Sequence, residues 1–345
     1  MSVHRSSRLR VRRWLGGLLA AALLTLAAGR ARAQDPPDFL ALIGAEGVMA
    51  HVHALAVEIG PRPMGSEAEA RAAEYVAAEY VAAALGSWGY AVEMQEFETL
   101  APSGRGVVTS RNVIATRRGS DPTAPPVVLG AHLDSVPSGP GAGDNASGVA
   151  ALLGAAETLR DFEPAHTLVF VAFGAEESGS PSGAQVFLDS LGGGATDVLA
   201  MINIDSVGVG AALYVYAGAE VAWPDGRNAA PEIAGGPVWV RDLALDLAAE
   251  MNIPLRTTPG ETWDGFIGDW SDHYPFVKAG VPVAYFEAWL WEDAGDPWWG
   301  QETRDGDVMH TQRDVYRAVK PAQVEQAAEL VAATAAAIAS GAPGP

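Results

Sequence analysis

The chain has 345 residues, of which 49% are hydrophobic, and it contains no cysteine. This length allows a large buried core, and the lack of cysteine excludes disulfide bonds and thiolate metal ligands. The formal net charge of −20 argues against nucleic acid or an anionic membrane surface as a partner.

The first 33 residues have the pattern of an export signal. Five arginines precede an apolar run over residues 14–28, which is too short to span a bilayer comfortably, and the cleavage pattern Ala31-Arg32-Ala33 follows. We therefore predict a signal peptide at residues 1–33 and a single domain at residues 34–345. The mature protein would be periplasmic or secreted, with no membrane contact once the signal is removed.

The rest of the chain predicts strands that alternate with helices. An Ala-rich helical pattern over residues 39–86 is followed by predicted strands at 92–97 and 107–115. Buried strands are then predicted in "PPVVLGAHLDSV", at 168–173, in "DVLAMINIDSVG" and at 282–286. Helices are predicted at 147–162, 182–191, 238–251 and 322–339. This alternation indicates an α/β fold with a largely parallel sheet that is covered on both faces.

Ionisable side chains cluster where the predicted buried strands end. They are His132 and Asp134 after one strand, Glu176 and Glu177 after the next, and Asp205 after the third. Binding sites of open α/β sheets gather at the carboxyl ends of the strands. We therefore expect these five side chains to form one site, although "HLD" by itself is equally compatible with a surface turn.

Spacing suggests different roles within each pair. His132 and Asp134 are two residues apart and share a face in an extended chain, so the carboxylate can orient the imidazole of a metal ligand. Glu176 and Glu177 are neighbours and point to opposite sides, so one can bind a metal while the other acts as a general base.

Two further residues complete the predicted site. Asp144 lies in the Gly-rich segment "GAGDNASG", where an ordinary helix cap is the alternative interpretation. His310 lies in "VMHTQRD", far along the chain. Two histidines and three carboxylates, with Glu176 left free, suit a site for two divalent cations that carries out hydrolysis.

Six segments of the sequence resemble the M28 family of zinc peptidases, and in particular its bacterial secreted aminopeptidases. The matching segments, in order, are "IGPRPMGSEAEARAAEYV", "VVLGAHLDSVPSGPGAGDNASGVAAL", "VFVAFGAEESG", "MINIDSVG", "SDHYPFVKAGVP" and "MHTQRDV". Together they extend over nearly the whole predicted mature chain. The resemblance implies a three-layer α/β/α sandwich around a central mixed, mostly parallel sheet.

The resemblance also implies a role for each candidate residue. Asp144 would bridge two zinc ions, with a cis peptide bond to Asn145. His132 and Asp205 would complete the ligands of one ion, and Glu177 and His310 those of the other. Glu176 would be the general base, and Asp134 would support His132.

Two features depart from the family's pattern. Several relatives have a tyrosine just before the last histidine, where this chain has Met309. Six of its ten tryptophans lie between residues 263 and 299, which is compatible with a wall for an apolar substrate side chain or with core packing. The sequence assigns no roles to Asp272, His273 and Glu287.

The predicted function is that of a zinc aminopeptidase, with two Zn²⁺ per chain, which acts on peptides with a free N-terminus. A glutaminyl cyclase with a single zinc and a carboxypeptidase of the same superfamily are alternatives. A non-catalytic binding module is a further alternative from another class. The sequence predicts neither the preferred side chain nor the oligomeric state.

Overall fold

The computed structural model describes residues 44–83, 89–177, 179–180, 182–192, 197–217, 237–257, 270–290, 301–303 and 306–341. The predicted signal peptide at 1–33 lies outside these residues, as do four of the six tryptophans between residues 263 and 299. The single domain at 34–345 stays a prediction. Within the described part of the chain, no helix is both long and apolar enough to cross a membrane.

A mixed sheet of seven strands forms the centre of the fold. In chain order the strands are β1 (Ala91–Leu100), β2 (Val107–Arg117), β3 (Val127–His132), β4 (Leu168–Phe173), β5 (Ala200–Ile204), β6 (Ala212–Tyr216) and β7 (Val283–Trp289). Their spatial order is β1-β2-β4-β3-β5-β7-β6. The four central strands β4, β3, β5 and β7 are parallel, whereas β1, β2 and β6 pair antiparallel at the two sides.

The central strands are apolar because both faces of the sheet are covered. Every residue of β3 and of β5 is buried. In β3 the side chains of Val127 and Leu129 face one core cluster, while Val128 faces the other. Continuous apolar sequence is what a strand buried on two faces requires.

Helices form a layer on each face of the sheet. The larger core cluster contains side chains of α1 (Ala45–His53), α2 (Glu67–Ala83), α3 (Gly148–Thr158), α5 (Trp239–Met251) and α7 (Pro321–Ala339). The smaller cluster on the opposite face contains side chains of α4 (Gly183–Ser190) and α6 (His273–Lys278). The predicted three-layer α/β/α architecture is therefore confirmed.

The helical pattern predicted over residues 39–86 is described at residues 44–83, where the structure confirms helix on both sides of a break. A wide helical turn at Ala54–Ile59 extends α1, and α2 begins only at Glu67. Between them Gly60 has a φ of 83°, and two prolines flank Arg62. Proline lacks the N–H that helix continuation needs, so the chain leaves the helix here. The sequence did not predict β6, α6 or the two-stranded ribbon of β8 (Glu302–Thr303) and β9 (Gly306–Asp307).

The parallel strands bring the predicted site residues to one edge of the sheet. His132 is the last residue of β3, and Asp205 directly follows β5. Glu176 and Glu177 lie in the turn after β4, which pairs with β3 so that Phe173 is opposite His132. The carboxyl ends of three neighbouring strands therefore contribute to the same site.

Candidate metal centre

The carboxylate of Asp144 lies at the centre of the site, between two imidazole rings. Nε2 of His132 is 3.2 Å from Oδ1 of Asp144, and Nε2 of His310 is 3.0 Å from Oδ2. Asp144 and His132 are buried, whereas the His310 side chain is half exposed. Two imidazole nitrogens thus approach different oxygens of one carboxylate.

Each imidazole also approaches a second carboxylate. Nε2 of His132 is 3.3 Å from Oδ1 of Asp205, and Nε2 of His310 is 3.2 Å from Oε2 of Glu177. The structure therefore divides the five candidate ligands into two groups that share Asp144. The resemblance implies the same division, and their assignment as metal ligands stays a prediction.

Three turns of the site have left-handed backbone at residues other than glycine. The φ angles are 57° at Ala175, 55° at Ser206 and 55° at His310. Ala175 precedes Glu176, and Ser206 follows Asp205. Such angles are uncommon for residues with a Cβ and concentrate at functional sites. Here they turn the chain sharply where each strand or loop reaches the site.

Asp134 organises the turn that carries the two glutamates. Its Oδ1 accepts a hydrogen bond of 3.1 Å from the N–H of Glu176, and its Oδ2 accepts one of 3.3 Å from the N–H of Glu177. Nδ1 of His132 lies 3.6 Å from Oδ1 of Asp134, which is slightly longer than a hydrogen bond. The contact of Asp134 with the glutamate backbone is one that the sequence analysis did not predict.

The turn that carries Asp144 is fixed by hydrogen bonds. The peptide bond between Asp144 and Asn145 is cis, as the resemblance implies. Nδ2 of Asn145 donates to the carbonyl of Ile204 at 3.0 Å, and its Oδ1 accepts from the N–H of Ser206 at 3.0 Å. Asn145 therefore connects the Asp144 turn to the end of β5, on both sides of Asp205.

Asp314 and Arg62 were also missed by the sequence analysis. Asp314 accepts hydrogen bonds from the N–H groups of Gly143 (2.6 Å) and Asp144 (3.0 Å). Its position four residues after His310 in "HTQRD" was the available signal. Arg62 lies in a segment that was predicted to be helical. The prolines on either side of it were the signal that the helix is interrupted there.

The carboxylates of the site are hydrogen-bonded to its imidazoles, and these contacts shift several pKa values. Hydrogen bonds to Asp144 and Glu177 raise the pKa of His310 to about 11 despite its partial burial. Burial raises the pKa of Glu177 to about 7, and the charge of Asp144 adds to this shift. Burial acts against ionisation of Asp144, but the hydrogen bonds with the two histidines hold its pKa well below the usual range.

The donor set fits a metal ion. Ligand atoms of His132, Asp144 and Glu177 all lie within 4.8 Å of one another. Nitrogen and carboxylate oxygen are the usual zinc ligands in the absence of cysteine. A dication could replace the imidazolium protons as the charge that keeps these carboxylates together.

Glu176 is half-buried beside this donor set. Burial raises its pKa well above the ordinary value, and the charges of Asp272, Asp205 and Glu177 raise it further. Asp272 is itself buried, and neither of its carboxylate oxygens has a hydrogen-bond partner among the residues that the structure describes. A carboxyl group with a raised pKa holds a proton more readily than an exposed one does.

His273 and Glu287, to which the sequence assigned no role, contact buried tyrosines. The ring of His273 stacks on that of Tyr285, with centroids 4.4 Å apart. Glu287 is buried and accepts hydrogen bonds from the hydroxyls of Tyr285 (2.7 Å) and Tyr216 (3.0 Å). Burial raises its pKa to about 7. These contacts show a packed polar cluster on β6 and β7.

Two of the six clustered tryptophans are described. Trp270 and Trp289 are partly buried and pack against the smaller core cluster, and Nε1 of Trp270 donates to the hydroxyl of Tyr285 at 3.1 Å. The other four lie outside the described residues. Met309 is half-buried and its N–H donates to Oδ1 of Asp307 at 3.0 Å. A methionine side chain has no N–H or O–H group, so it cannot donate a hydrogen bond to a substrate as a tyrosine can.

Comparison with solved structures gives the same fold. A zinc aminopeptidase from Bacillus subtilis, BSAP, matches with a TM-score of 0.64 and 20% identity, over 85% of this chain and 94% of that chain. The glutaminyl cyclase of Porphyromonas gingivalis matches with a TM-score of 0.63 and 23% identity, over 85% and 98%. At these identities the likeness concerns the fold.

Comparison of sequences identifies the family. Aminopeptidase YwaD of Bacillus subtilis is 30% identical over 255 residues, which are 71% of this chain and 48% of that protein. The probable lipoprotein aminopeptidase LpqL of Mycobacterium tuberculosis is 34% identical over 176 residues, 50% of this chain and 33% of that protein. The chain thus spans about half the length of these relatives or less. Residues 112–335 match peptidase family M28, and the chain belongs to this family.

Proposed function

We propose that the protein is a zinc aminopeptidase that removes N-terminal residues from peptides and uses two metal ions. The observation that carries this proposal is the position of Asp144, whose two oxygens each face a different imidazole. A carboxylate shared in this way suits a bridging ligand of two ions. Relatives of the chain that are named aminopeptidases support the type of reaction.

The proposed ligands fall into the two groups described above. Asp144, His132 and Asp205 would hold one ion, and Asp144, His310 and Glu177 the other. When bound, two zinc ions in such a site would polarise the scissile carbonyl and lower the pKa of the attacking water. The three ligand carboxylates would offset most of the charge of two dications.

Glu176 is the proposed general base. Its carboxyl lies beside the ligands without belonging to either group, and burial, which raises its pKa, favours holding a proton that it has accepted. It would take a proton from the attacking water and pass it to the nitrogen of the leaving peptide. Asp134, through the N–H groups of Glu176 and Glu177, would keep the base and the ligand at fixed separation.

The proposed substrate is a peptide with a free, protonated N-terminus. Asp272 belongs to neither proposed ligand group and lies close enough to Glu176 to raise its pKa, so its carboxyl group is the one available to a positively charged amine. We also propose that the protein is exported, on the basis of the signal pattern at residues 1–33. Cell fractionation followed by N-terminal sequencing of the mature protein tests this part.

The decisive experiment combines metal analysis with substrate turnover. We expect two zinc ions per chain, and hydrolysis of aminoacyl amides such as leucyl and lysyl p-nitroanilide that a chelator stops. The matched N-acetylated amides should be inert. One zinc per chain together with cyclisation of N-terminal glutamine would identify a glutaminyl cyclase instead. Absence of turnover by the zinc-loaded protein would support a binding module.

A further inference from the structure

Arg62 is a fully buried cation that lies behind the candidate metal centre. None of its surface is exposed to solvent. It follows the break between α1 and α2, in the segment Gly60-Pro61-Arg62-Pro63. Burying a charge is unfavourable unless hydrogen bonds compensate it, so its position requires an explanation.

The guanidinium of Arg62 donates five hydrogen bonds, and all of them end on backbone carbonyls. Nε donates to Leu133 at 2.9 Å, and Nη2 donates to Gly141 at 3.0 Å. Nη1 donates to Leu55 (3.1 Å), Gly60 (3.0 Å) and Pro140 (2.7 Å). Its donors are therefore used for connecting chain segments rather than for an ion pair.

Three of these carbonyls, those of Leu133, Pro140 and Gly141, belong to the two segments next to the site. Leu133 directly follows His132, and Gly141 lies three residues before Asp144. The backbone of Arg62 adds a second connection, since its N–H donates to Oγ of Ser135 at 3.0 Å and its carbonyl accepts from the N–H of Ser135 at 3.2 Å. One residue thus fastens the end of β3 and the Asp144 turn to the helical turn at Ala54–Ile59.

We propose that Arg62 is a positioning residue that sets the separation of His132 and Asp144 and thereby controls the affinity of the site for zinc. This inference rests on the proposed function, because it assumes that these two residues bind the metal. Arg62 touches neither the metal ligands' side chains nor the substrate in this role. Its hydrogen bonds hold the backbone that follows His132 and the backbone that precedes Asp144.

If Arg62 acted only through its charge, its removal would change the zinc affinity in the opposite direction. The charge of Arg62 interacts with nearby Asp314, Asp134 and Asp144, so removal of the charge alone would make the site more negative and would strengthen the binding of a dication. Loss of the fork of hydrogen bonds would instead weaken zinc binding. Lysine keeps the charge but cannot reproduce the planar fork.

The experiment measures the zinc dissociation constants of metal-free protein by competition with a chromophoric chelator. For Arg62→Lys we expect zinc to bind about 10- to 100-fold more weakly, as for other changes behind a metal site. Arg62→Met, which has neither charge nor fork, should also bind zinc more weakly. Wild-type affinity in Arg62→Lys, or tighter binding in Arg62→Met, would overturn the proposal.

Arg117 provides a matched control. It is also buried, at 3% exposure, and it donates to the carbonyls of Arg160 and Phe162. It pairs with Leu168 at the start of β4, the end of the strand that is remote from the glutamates. Arg117→Lys should lower the unfolding temperature of the metal-free protein and leave zinc affinity unchanged. An equal loss of zinc affinity in Arg62→Lys and Arg117→Lys would show that Arg62 contributes only to folding in general.

Ser135→Ala keeps the proposal testable if neither Arg62 variant folds. It removes the hydroxyl that accepts from Arg62, and the loss of one such bond should weaken zinc binding about 2- to 10-fold. An unchanged dissociation constant would refute the positioning role. Failure of the proposed function itself would be recognised separately, because the wild-type protein would then bind fewer than two zinc ions.

Discussion

The N–H of Asp144 donates a hydrogen bond of 3.0 Å to Oδ2 of Asp314, which lies four residues after His310 in the chain. Asp314 also accepts from the N–H of Gly143 at 2.6 Å, so both of its oxygens hold the same turn. The loop that supplies one proposed ligand therefore fixes the backbone of the proposed bridging ligand. A substitution of Asp314 should therefore affect both the loop of His310 and the turn of Asp144.

Asp314→Asn should destabilise the metal-free protein and weaken zinc binding. An amide has one acceptor oxygen, and its NH₂ would face an N–H donor, which costs about 1–3 kcal/mol of unfolding free energy. Urea unfolding and zinc competition measure the two effects. Asp121→Asn, in an exposed turn where Asp121 binds Thr123, is the control and should change neither zinc affinity nor kcat. Unaltered zinc affinity in Asp314→Asn would show that the hydrogen bonds of Asp314 to the Asp144 turn do not affect metal binding.

Glu176→Gln should abolish most activity without loss of metal. The amide cannot accept the proton from water, so kcat should fall by about 10²- to 10⁴-fold. Elemental analysis should still find the wild-type zinc content. Glu74→Gln, on the exposed side of α2, is the matched control and should be fully active. A Glu176→Gln variant with normal kcat would remove Glu176 from the proposed mechanism.

His310→Ala should reduce the zinc content from two ions per chain to one. It removes the nitrogen that approaches Oδ2 of Asp144 and Oε2 of Glu177, while the group around His132 keeps its three side chains. Metal analysis after gel filtration gives the stoichiometry. His166→Ala, near the start of β4, serves as the control and should retain both ions. Two tightly bound ions in His310→Ala would show that the second group is misassigned.

Removal of zinc by a chelator should lower the unfolding temperature of the protein. A ligand that binds only the folded state stabilises it by about 2.7 kcal/mol at a free concentration one hundred times its dissociation constant. Differential scanning calorimetry with and without added zinc measures the shift. The shift should be smaller in His310→Ala than in the wild-type protein, and an equal shift would place the stabilising ion elsewhere.

Glu69 should make the metal-free protein less stable as the pH rises. It is fully buried, accepts from Ser110 Oγ (2.5 Å) and the N–H of Gly65 (2.6 Å), and burial raises its pKa from 4.5 to about 7. The unfolded state releases this proton at lower pH than the folded state. Stability therefore falls between the unfolded and the folded pKa, from about pH 4.5 to 7.

The comparison with Glu69→Gln isolates this contribution. Glutamine has no proton to release, so the stability of the variant relative to the wild type should increase between pH 5 and pH 8, by about 2 kcal/mol. Chemical unfolding of both metal-free proteins across this range measures the difference. A difference that does not change with pH would show that Glu69 does not titrate in this interval.

The central strands and the residues at their ends could be predicted from local sequence. The run from Leu168 to Phe173 is apolar because both of its faces are buried, and a strand of this kind can place charges only at its tips. His132 and Glu176 were predicted to lie at one site for this reason. The break at Arg62 was missed because an Ala-rich pattern on either side of it favours helix, and only the two prolines argue against it.

The sequence by itself determined the alternating α/β order and the residue types that can hold a metal without cysteine. The tertiary structure alone decided which imidazole faces which oxygen of Asp144, and that Asp314, Asn145 and Arg62 hold the turns that make this possible. Those contacts join segments that are far apart in the chain, and their hydrogen bonds end largely on backbone groups. Backbone groups are identical at every residue, so no sequence pattern marks them, and only the folded chain brings them within reach.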